Sequence, residues 1–257
     1  MNLLKSTLEK ALIVGGTILK RGFSRPKHIQ YKGPVSLVTE TDKEAERAIL
    51  QVIQKRFPNH SILAEESGAS LGSRQKWIID PLDGTTNFAH GLPLVCVSIA
   101  YEENGIVRLG GVWNPILDEW FWAEQGKGAS LNGKKIRISK IKSLKTSLLV
   151  TGFPYDRLTR PRYYTRFFEA FMNRTHGVRR LGSAAIDLCY VASGRFDGFW
   201  EFGLKAWDVA AGGLIAKEAG ACLTDFKGKP MNIYGEQTLV ANSYIHGSML
   251  RLIKRLF

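Results

Sequence analysis

Two aspartates three residues apart, Asp80 and Asp83, open the run Asp80-Pro-Leu-Asp-Gly-Thr-Thr-Asn87. The apolar Trp77-Ile-Ile79 before them reads as a strand, and Pro81 is expected to stop it. Asp80 then lies at a strand's carboxyl end, where the ligand sites of α/β sheets gather. Two carboxylates on a tight loop, with the Leu82 carbonyl between them, offer the oxygen donors that a hard cation such as Mg²⁺ takes. Gly84 lets the backbone turn and approach an anion closely. The successive N–H groups of Gly84 and Thr85, opening toward a helix, form a phosphate cradle. The Thr85 hydroxyl could orient a nucleophilic water. Asp-Gly by itself is an ordinary turn; the whole run after an apolar strand reads as a metal-and-phosphate loop.

Three more acids are candidates. Glu65-Glu66 follows the apolar stretch 61–64. If that strand lies beside the Trp77 strand, Glu65 meets Asp80 at one sheet edge; otherwise it belongs to an exposed loop. Asp208 follows Trp207 and opens a helix, where it can cap, ligate or do both. Asp42, in Val38-Thr-Glu-Thr-Asp-Lys43, is either first-turn helix charge or a group that fixes a water or the threonine hydroxyl beside the metals. The five His residues form no cluster, and Gly126-Lys-Gly128 lacks the spacing of a nucleotide-binding loop.

The elements that must position these groups are read from periodicity and turn residues. Helices are expected over 3–21, 39–57, 162–173, 184–192, 207–219 and 244–256. Strands are expected over 61–64, 76–79, 95–101, 106–112, 119–123, 147–151, 196–201, 222–225 and 238–241, the third to fifth as an antiparallel meander. The fold class is α/β (α+β), a layered sandwich of helices and sheets. Residues 1–145 form an α+β half with Glu65 and the Asp80–Asn87 loop; residues 146–257 form an α/β half with Glu201 and Asp208. No Pro/Gly/Ser-rich linker separates them, so one compact unit is expected.

The chain of 257 residues carries 36 Lys and Arg against 23 Asp and Glu, a net charge of +13. That favours anionic partners, although the basic residues are scattered and nucleic acid is not the favoured one. Cys96, Cys189 and Cys222 lie in apolar stretches with no C-x-x-C pair, as reduced core thiols do. The apolar stretch 11–19 is too short to span a bilayer and has helical spacing, so a cytoplasmic location and no membrane are expected.

At this point the chain resembles the inositol monophosphatase family, over nearly its whole length. The segments that carry the resemblance are Trp77-Ile-Ile-Asp-Pro-Leu-Asp-Gly-Thr-Thr-Asn-Phe88 and Trp207-Asp-Val-Ala-Ala-Gly212, supported by Leu37-Val-Thr-Glu-Thr-Asp42, Ala64-Glu-Glu-Ser67 and Gly182-Ser-Ala-Ala185. The resemblance implies a five-layered, sugar-phosphatase-like α/β sandwich, commonly dimeric, dependent on Mg²⁺ and often inhibited by lithium. By position, Glu65, Asp80 and the Leu82 carbonyl look like ligands of a first Mg²⁺, and Asp80, Asp83 and Asp208 like ligands of a second. Glu65 and Asp42 look like the residues of a third, weaker metal and its water, which Thr85 would align. Gly84 and Thr85 would hold the phosphate. Arg179, the Gly182-Ser183-Ala184 loop and Glu201 correspond to the side of the pocket that takes the alcohol.

Ser36 and Lys205 depart from the pattern of many relatives. Lys205 is either a surface charge or a contact for a second anionic substituent. The expected substrate is therefore inositol monophosphate or a similar small polyol or sugar phosphate. Fructose 1,6-bisphosphate, a 3′-phosphonucleotide or histidinol phosphate are alternatives on the same site. An RNA or transcription-complex partner using the basic surface is the alternative of another class.

Overall fold

The computed structural model describes residues 2–24, 29–31, 37–70 and 73–257. Ser36, singled out from the sequence, and the loop residues Lys32, Gly33 and Pro34 lie outside the described residues. Among the described residues no helix is long and apolar enough to cross a membrane.

Helix α1 (Asn2–Phe23) is followed by the short antiparallel pair β1 (Ile29–Tyr31) and β2 (Leu37–Thr39) and by α2 (Glu40–Arg56). An eight-stranded sheet comes next. Its strands are β3 (Ser61–Ala64), β4 (Gly68–Ser70), β5 (Gln75–Asp83), β6 (Cys96–Glu103), β7 (Ile106–Asn114), β8 (Glu119–Glu124), β9 (Ala129–Leu131) and β10 (Lys134–Lys135). One helical turn and a half, α3 (Thr85–Ala89), interrupts it after β5. A five-stranded sheet follows, of β11 (Leu148–Thr151), β12 (Gly177–Arg179), β13 (Gly198–Phe202), β14 (Cys222–Thr224) and β15 (Gln237–Ala241). Its helices are α4 (Pro161–Met172), α5 (Ala184–Ala192), α6 (Ala206–Glu218) and α7 (His246–Lys254).

Side-chain alternation along the strands sorts these elements into five layers. Trp77, Ile79, Val97, Ile99 and Tyr101 turn to one face of the large sheet, against Leu8, Leu12, Ile49 and Ile53 of α1 and α2. Ile78, Cys96, Ala100 and Val112 turn to the other face, against α5 and α6. Val150, Phe199 and Val240 close that central core from the small sheet. Leu149, Trp200 and Leu239, one residue out of phase, meet Phe167 and Phe171 of α4 and Met249 and Ile253 of α7. The order is thus helices, sheet, helices, sheet, helices, the layered sandwich the pattern of elements foretold.

The large sheet runs β10-β9-β8-β7-β6-β5-β3-β4, with β6 to β8 as the expected antiparallel meander. The pair β3 and β5 is parallel, with Ala64 opposite Ile79. Pro81 does not end β5, contrary to the reading from sequence. The strand continues to Asp83, because a β-bulge lies there: Asp80 pairs with Ser98 and Asp83 with Cys96, so three steps along β5 match two along β6. A bulge leaves one residue out of the ladder, and proline, which has no N–H to donate, is tolerated at such a place.

The central layer is close-packed through small residues. A Cβ on Gly110 of β7 would stand 3.0 Å from both the Cα and the carbonyl oxygen of Ala211 in α6. On the opposite face, a Cβ on Gly111 would stand 2.4 Å from Leu12 of α1. A Cβ on Gly212 would stand 2.8 Å from Leu188 of α5. Gly110→Val would press a branched side chain on backbone that cannot yield, and overpacking of this kind costs about 1–3 kcal/mol. Urea unfolding should show that loss for Gly110→Val; a midpoint equal to the wild type's would mean that α6 is free to shift.

Candidate functional site

The parallel pairing of β3 and β5 decides the first contact. Glu65 directly follows Ala64 and its N–H donates to the Ile79 carbonyl at 3.2 Å, which sets it beside Asp80. The two carboxyl groups stand within hydrogen-bonding reach of one another. Asp80 faces the central helix layer, as Ile78 does. Without the bulge, Asp83 would point to the opposite face, since residues three apart in a regular strand do. With it, Asp83 returns to the face of Asp80, opposite Cys96.

The amino ends of two central helices meet these acids. Asp83 Oδ2 accepts from Ser183 Oγ at 2.6 Å and from the Ala185 N–H at 2.7 Å, at the start of α5. Asp208, in the first turn of α6, accepts from the Lys205 N–H at 2.6 Å. Ser98 Oγ donates to the Trp207 carbonyl at 3.3 Å and fixes that helix end against β6. Both helices so direct the positive ends of their dipoles at half-buried carboxylates.

Gly84 follows with φ +92°, and a Cβ there would stand 2.8 Å from the Leu94 carbonyl oxygen, so only glycine fits the turn. The Asn87 amide donates to the carbonyls of Leu94 and Leu181, each at 2.8 Å, and ties the loop to the segment that leads into α5. Thr85 Oγ1 lies 3.2 Å from Asp42 Oδ1 and 3.1 Å from the Leu82 carbonyl oxygen. Asp42 is held from the other side, its Oδ2 accepting from the N–H and hydroxyl of Thr39. Burial pushes the Asp42 carboxyl up to about 6, against the hydrogen bonds from Thr39.

These residues line a cleft of about 220 Å³ between the large sheet and the small one. Glu65, Asp80, Leu82, Asp83, Gly84, Thr85 and Asp208 form one wall; Gly182, Ser183, Ala184 and Glu201 are on the other. Asp42 stands behind Thr85. Arg179 does not line the cleft: it is exposed, with Nη1 donating to the Val178 carbonyl at 3.1 Å. Its neighbour Arg180 lines the cleft instead, because successive residues leaving β12 point to opposite sides. Lys205 is at the mouth, with Arg157 and Tyr155 from the 3₁₀ turn Tyr155–Leu158.

Sequence reasoning missed Arg180, Arg157, Gly152 and Asp187, all of which line the cleft. Only Asp187 carried a signal, as the one charged residue in the apolar helix Ala184–Ala192. The others depend on how the two sheets face each other.

The electrostatics of the cleft are those of crowded acids. Burial drives the carboxyls of Asp80, Asp83, Asp208 and Asp187 up, and the neighbouring acids drive Asp80, Asp208 and Asp187 up further. Glu201 is pushed up to about 8, chiefly by burial, with the Arg180 guanidinium opposing it. Among the described residues, no Lys or Arg forms an ion pair with Asp80, Asp83, Asp208 or Glu201. As placed, no three acidic, His or Cys side chains converge on one point among the described residues. The donor set itself is all oxygen, carboxylates and one carbonyl without His or Cys, and that chemistry fits a hard divalent cation. Two carboxyl groups as close as Glu65 and Asp80 require a shared proton or a cation between them.

A pH dependence follows. An acid with a raised folded pKa binds more protons folded than unfolded, so its contribution to stability is present below its unfolded value and is lost as pH rises. For Glu201 the window runs from 4.5 to about 8. In chelator, the unfolding midpoint should fall as pH rises through that window, and Glu201→Gln should flatten the fall. An unchanged slope in Glu201→Gln would contradict the burial argument.

The sequence of residues 2–256 matches the model of the inositol monophosphatase family. The chain is 45% identical over 206 residues to the Nus factor SuhB of Pseudomonas aeruginosa, covering 78% of this chain and 76% of that protein. It is 42% identical over 239 residues to the fructose-1,6-bisphosphatase/inositol-1-monophosphatase of Thermotoga maritima, covering 93% of this chain and 91% of that one. The structure superposes on that of an inositol monophosphatase from Anabaena (Nostoc) sp. with a TM-score of 0.89 and 40% identity, covering 99% of this chain and 97% of the other. A whole-length match of sequence, the same five-layered fold and a phosphatase name among close relatives agree: the chain belongs to the inositol monophosphatase family of phosphatases.

Proposed function

We propose that this protein hydrolyses inositol monophosphate or a similar small polyol phosphate with the help of two Mg²⁺ ions, a third binding more weakly. The observation that carries the reading is the gathering of Glu65, Asp80, Asp83 and Asp208 on one wall of a cleft, beside the Gly84–Thr85 turn. Glu65, Asp80 and the Leu82 carbonyl would hold one cation; Asp80, Asp83 and Asp208 the second; Glu65 and Asp42 would serve the third and its water. Such cations, when bound, acidify a water and neutralise charge on the phosphoryl and leaving oxygens.

The chain's own groups do the rest. The Thr85 hydroxyl, flanked by Asp42 and the Leu82 carbonyl, is placed to orient the attacking water. Asp42, raised to about 6, is suited to take a proton near neutral pH. The backbone at Gly84 and Thr85 binds phosphoryl oxygens, and Ser183 and Ala185 keep Asp83 from turning away. Glu201 accepts from a hydroxyl of the alcohol, beside the Gly182–Ala184 turn. One compact unit of two halves supports this arrangement, since Glu65 and Asp80 come from the first half and Asp208 and Glu201 from the second. Free thiols at Cys96, Cys189 and Cys222 support a cytoplasmic location; a homodimer and lithium sensitivity are expected from family membership.

A second reading, a bisphosphate such as fructose 1,6-bisphosphate, is supported by Arg157, Arg180 and Lys205 around the cleft and by the name of the Thermotoga relative. Binding to RNA or a transcription complex is supported by the charge of +13 and by the name of the Pseudomonas relative. Salt-dependent RNA binding that survives Asp83→Asn would establish it as a separate activity.

A panel of inositol 1-phosphate, fructose 1,6-bisphosphate, a 3′-phosphonucleotide and histidinol phosphate, ranked by kcat/KM with Mg²⁺, decides among substrates. Asp83→Asn and Asp208→Asn should each lower kcat by about 10²-fold or more while circular dichroism shows the fold intact. Near-normal turnover at saturating Mg²⁺ would overturn the assignment. Arg180→Ala should raise KM about tenfold, the loss of one charge-assisted hydrogen bond, and Arg179→Ala should not; the reverse result would restore Arg179 to the pocket.

A further inference from the structure

A second cavity, of about 580 Å³, shares no residue with the cleft. It opens where the turn between β6 and β7, helix α6 and the segment 230–234 meet. Its hollow has a cause in the sequence. Ala210, Gly213, Leu214 and Lys217 fall on one face of α6 and line it. The first two leave space that a larger side chain would fill, and a Cβ on Gly213 would stand 2.9 Å from Met231 Cε. Val107, Leu223, Met231 and Ile233 are half-buried around the hollow, and Ile106 at its rim is 44% exposed. Small-molecule sites have this size and this mainly apolar lining, with a few polar groups that set the ligand's orientation.

The polar groups left over in this cavity are donors. No Asp or Glu lines it. Lys217 is exposed and forms no ion pair among the described residues. Gln125 Oε1 accepts from Arg108 Nη1 at 2.5 Å, and Asn232 Oδ1 accepts from the Tyr234 N–H at 3.0 Å. A guanidinium and a backbone N–H can only donate, so the orientation of both side-chain amides is fixed. Their oxygens are used within the protein, and their N–H groups have no partner among the described residues. The Tyr234 wall is held rigidly. Its hydroxyl donates to Oε2 of the buried Glu102 at 2.5 Å and accepts from Lys76 Nζ at 2.8 Å. Both partners belong to the large sheet, so this wall is in place before a ligand arrives, and little ordering opposes binding.

We propose that this cavity is a binding site for a small carboxylate with an aliphatic body, the carboxylate on Lys217 and the amides of Gln125 and Asn232, the body against Val107, Leu214 and Met231. Burial of the aliphatic part supplies affinity. The ammonium and the amide N–H groups set the sign and position of the head. One cation matches one negative charge; the second charge of a phosphate monoester would stay unmatched beside an apolar hollow, which is costly. The site is independent of the phosphatase reading, since none of the residues of the cleft takes part in it.

Titration calorimetry on the full chain at neutral pH tests it, with octanoate as the probe. Octanoate should bind with a negative change in heat capacity, the mark of buried apolar surface. Acetate, which lacks the body, and octylammonium, which carries the opposite charge, should not bind. Lys217→Glu should weaken octanoate by about tenfold or more, while Lys254→Glu, the same change of charge on α7, should leave its affinity unchanged. Gly213→Leu, which fills the hollow, should abolish binding. Thermal unfolding shows whether that variant is folded; if it is not, the exposed Lys217→Glu decides by itself. No binding of octanoate by the wild type would overturn the proposal. Equal losses in Lys217→Glu and Lys254→Glu would do the same, as general attraction to a basic protein, and so would octylammonium binding as well as octanoate, as apolar adhesion without a read charge. Self-association of the wild type that Lys217→Glu abolishes would give the cavity to a second copy of the chain instead.

Discussion

Crowding of negative charge in a poorly solvated cleft is the constraint around which the structure is arranged. Like charges at such spacing raise each other's cost of ionisation, so carboxylates are brought together only where the fold overrules their repulsion. Here each is held by a separate device. Glu65 is aligned by the parallel strand that carries it, Asp83 is gripped by the Ser183 hydroxyl and the Ala185 N–H, and Asp208 is anchored to the Lys205 N–H. The dipoles of α5 and α6, pointing their positive ends at the acids, offset part of the repulsion. Both helices therefore serve the site from the middle of the sandwich as well as the core.

The bulge in β5 is the local solution that makes the site compact. A strand alternates its side chains, so two aspartates three residues apart would serve opposite faces. One extra residue between Asp80 and Asp83 restores both to the same face, and Leu82 turns instead into the core between the large sheet and α1 and α2. The same irregularity supplies a place where Pro81 does no harm. Gly84 and Asn87 then fix the exit of the loop, one through a left-handed turn under the Leu94 carbonyl, the other through two amide hydrogen bonds.

Close approach in the central layer carries this local geometry to the second half of the chain. Gly110 and Gly212 let α6 lie against β7 on one side and α5 on another, which brings the first turn of α6 to the sheet end where Asp80 waits. Larger residues there would lift Asp208 away from its partners. The core packing of α6 and the position of a site residue are thus one property.

The sequence by itself determined most of the elements and the acids that gather in the cleft. Alternation and helical spacing located the meander, the apolar helix Ala184–Ala192 and the two long helices of the first half, because those signals are local. The residue types of Asp80, Asp83, Thr85 and Asp208 carried their chemistry in the same way. Short strands such as β4, β10 and β12 were not legible, since two or three residues hold no period. Tertiary structure decided what depends on distant partners. It ran β5 through Pro81, because the ladder to β6 was there to bridge the break. It chose Arg180 over Arg179 for the cleft, because the direction of a side chain leaving β12 is set by the sheet. It also left Asp187 Oδ1 enclosed without a hydrogen-bond partner beside the cleft, since whether a buried acid is satisfied depends on what the fold places around it.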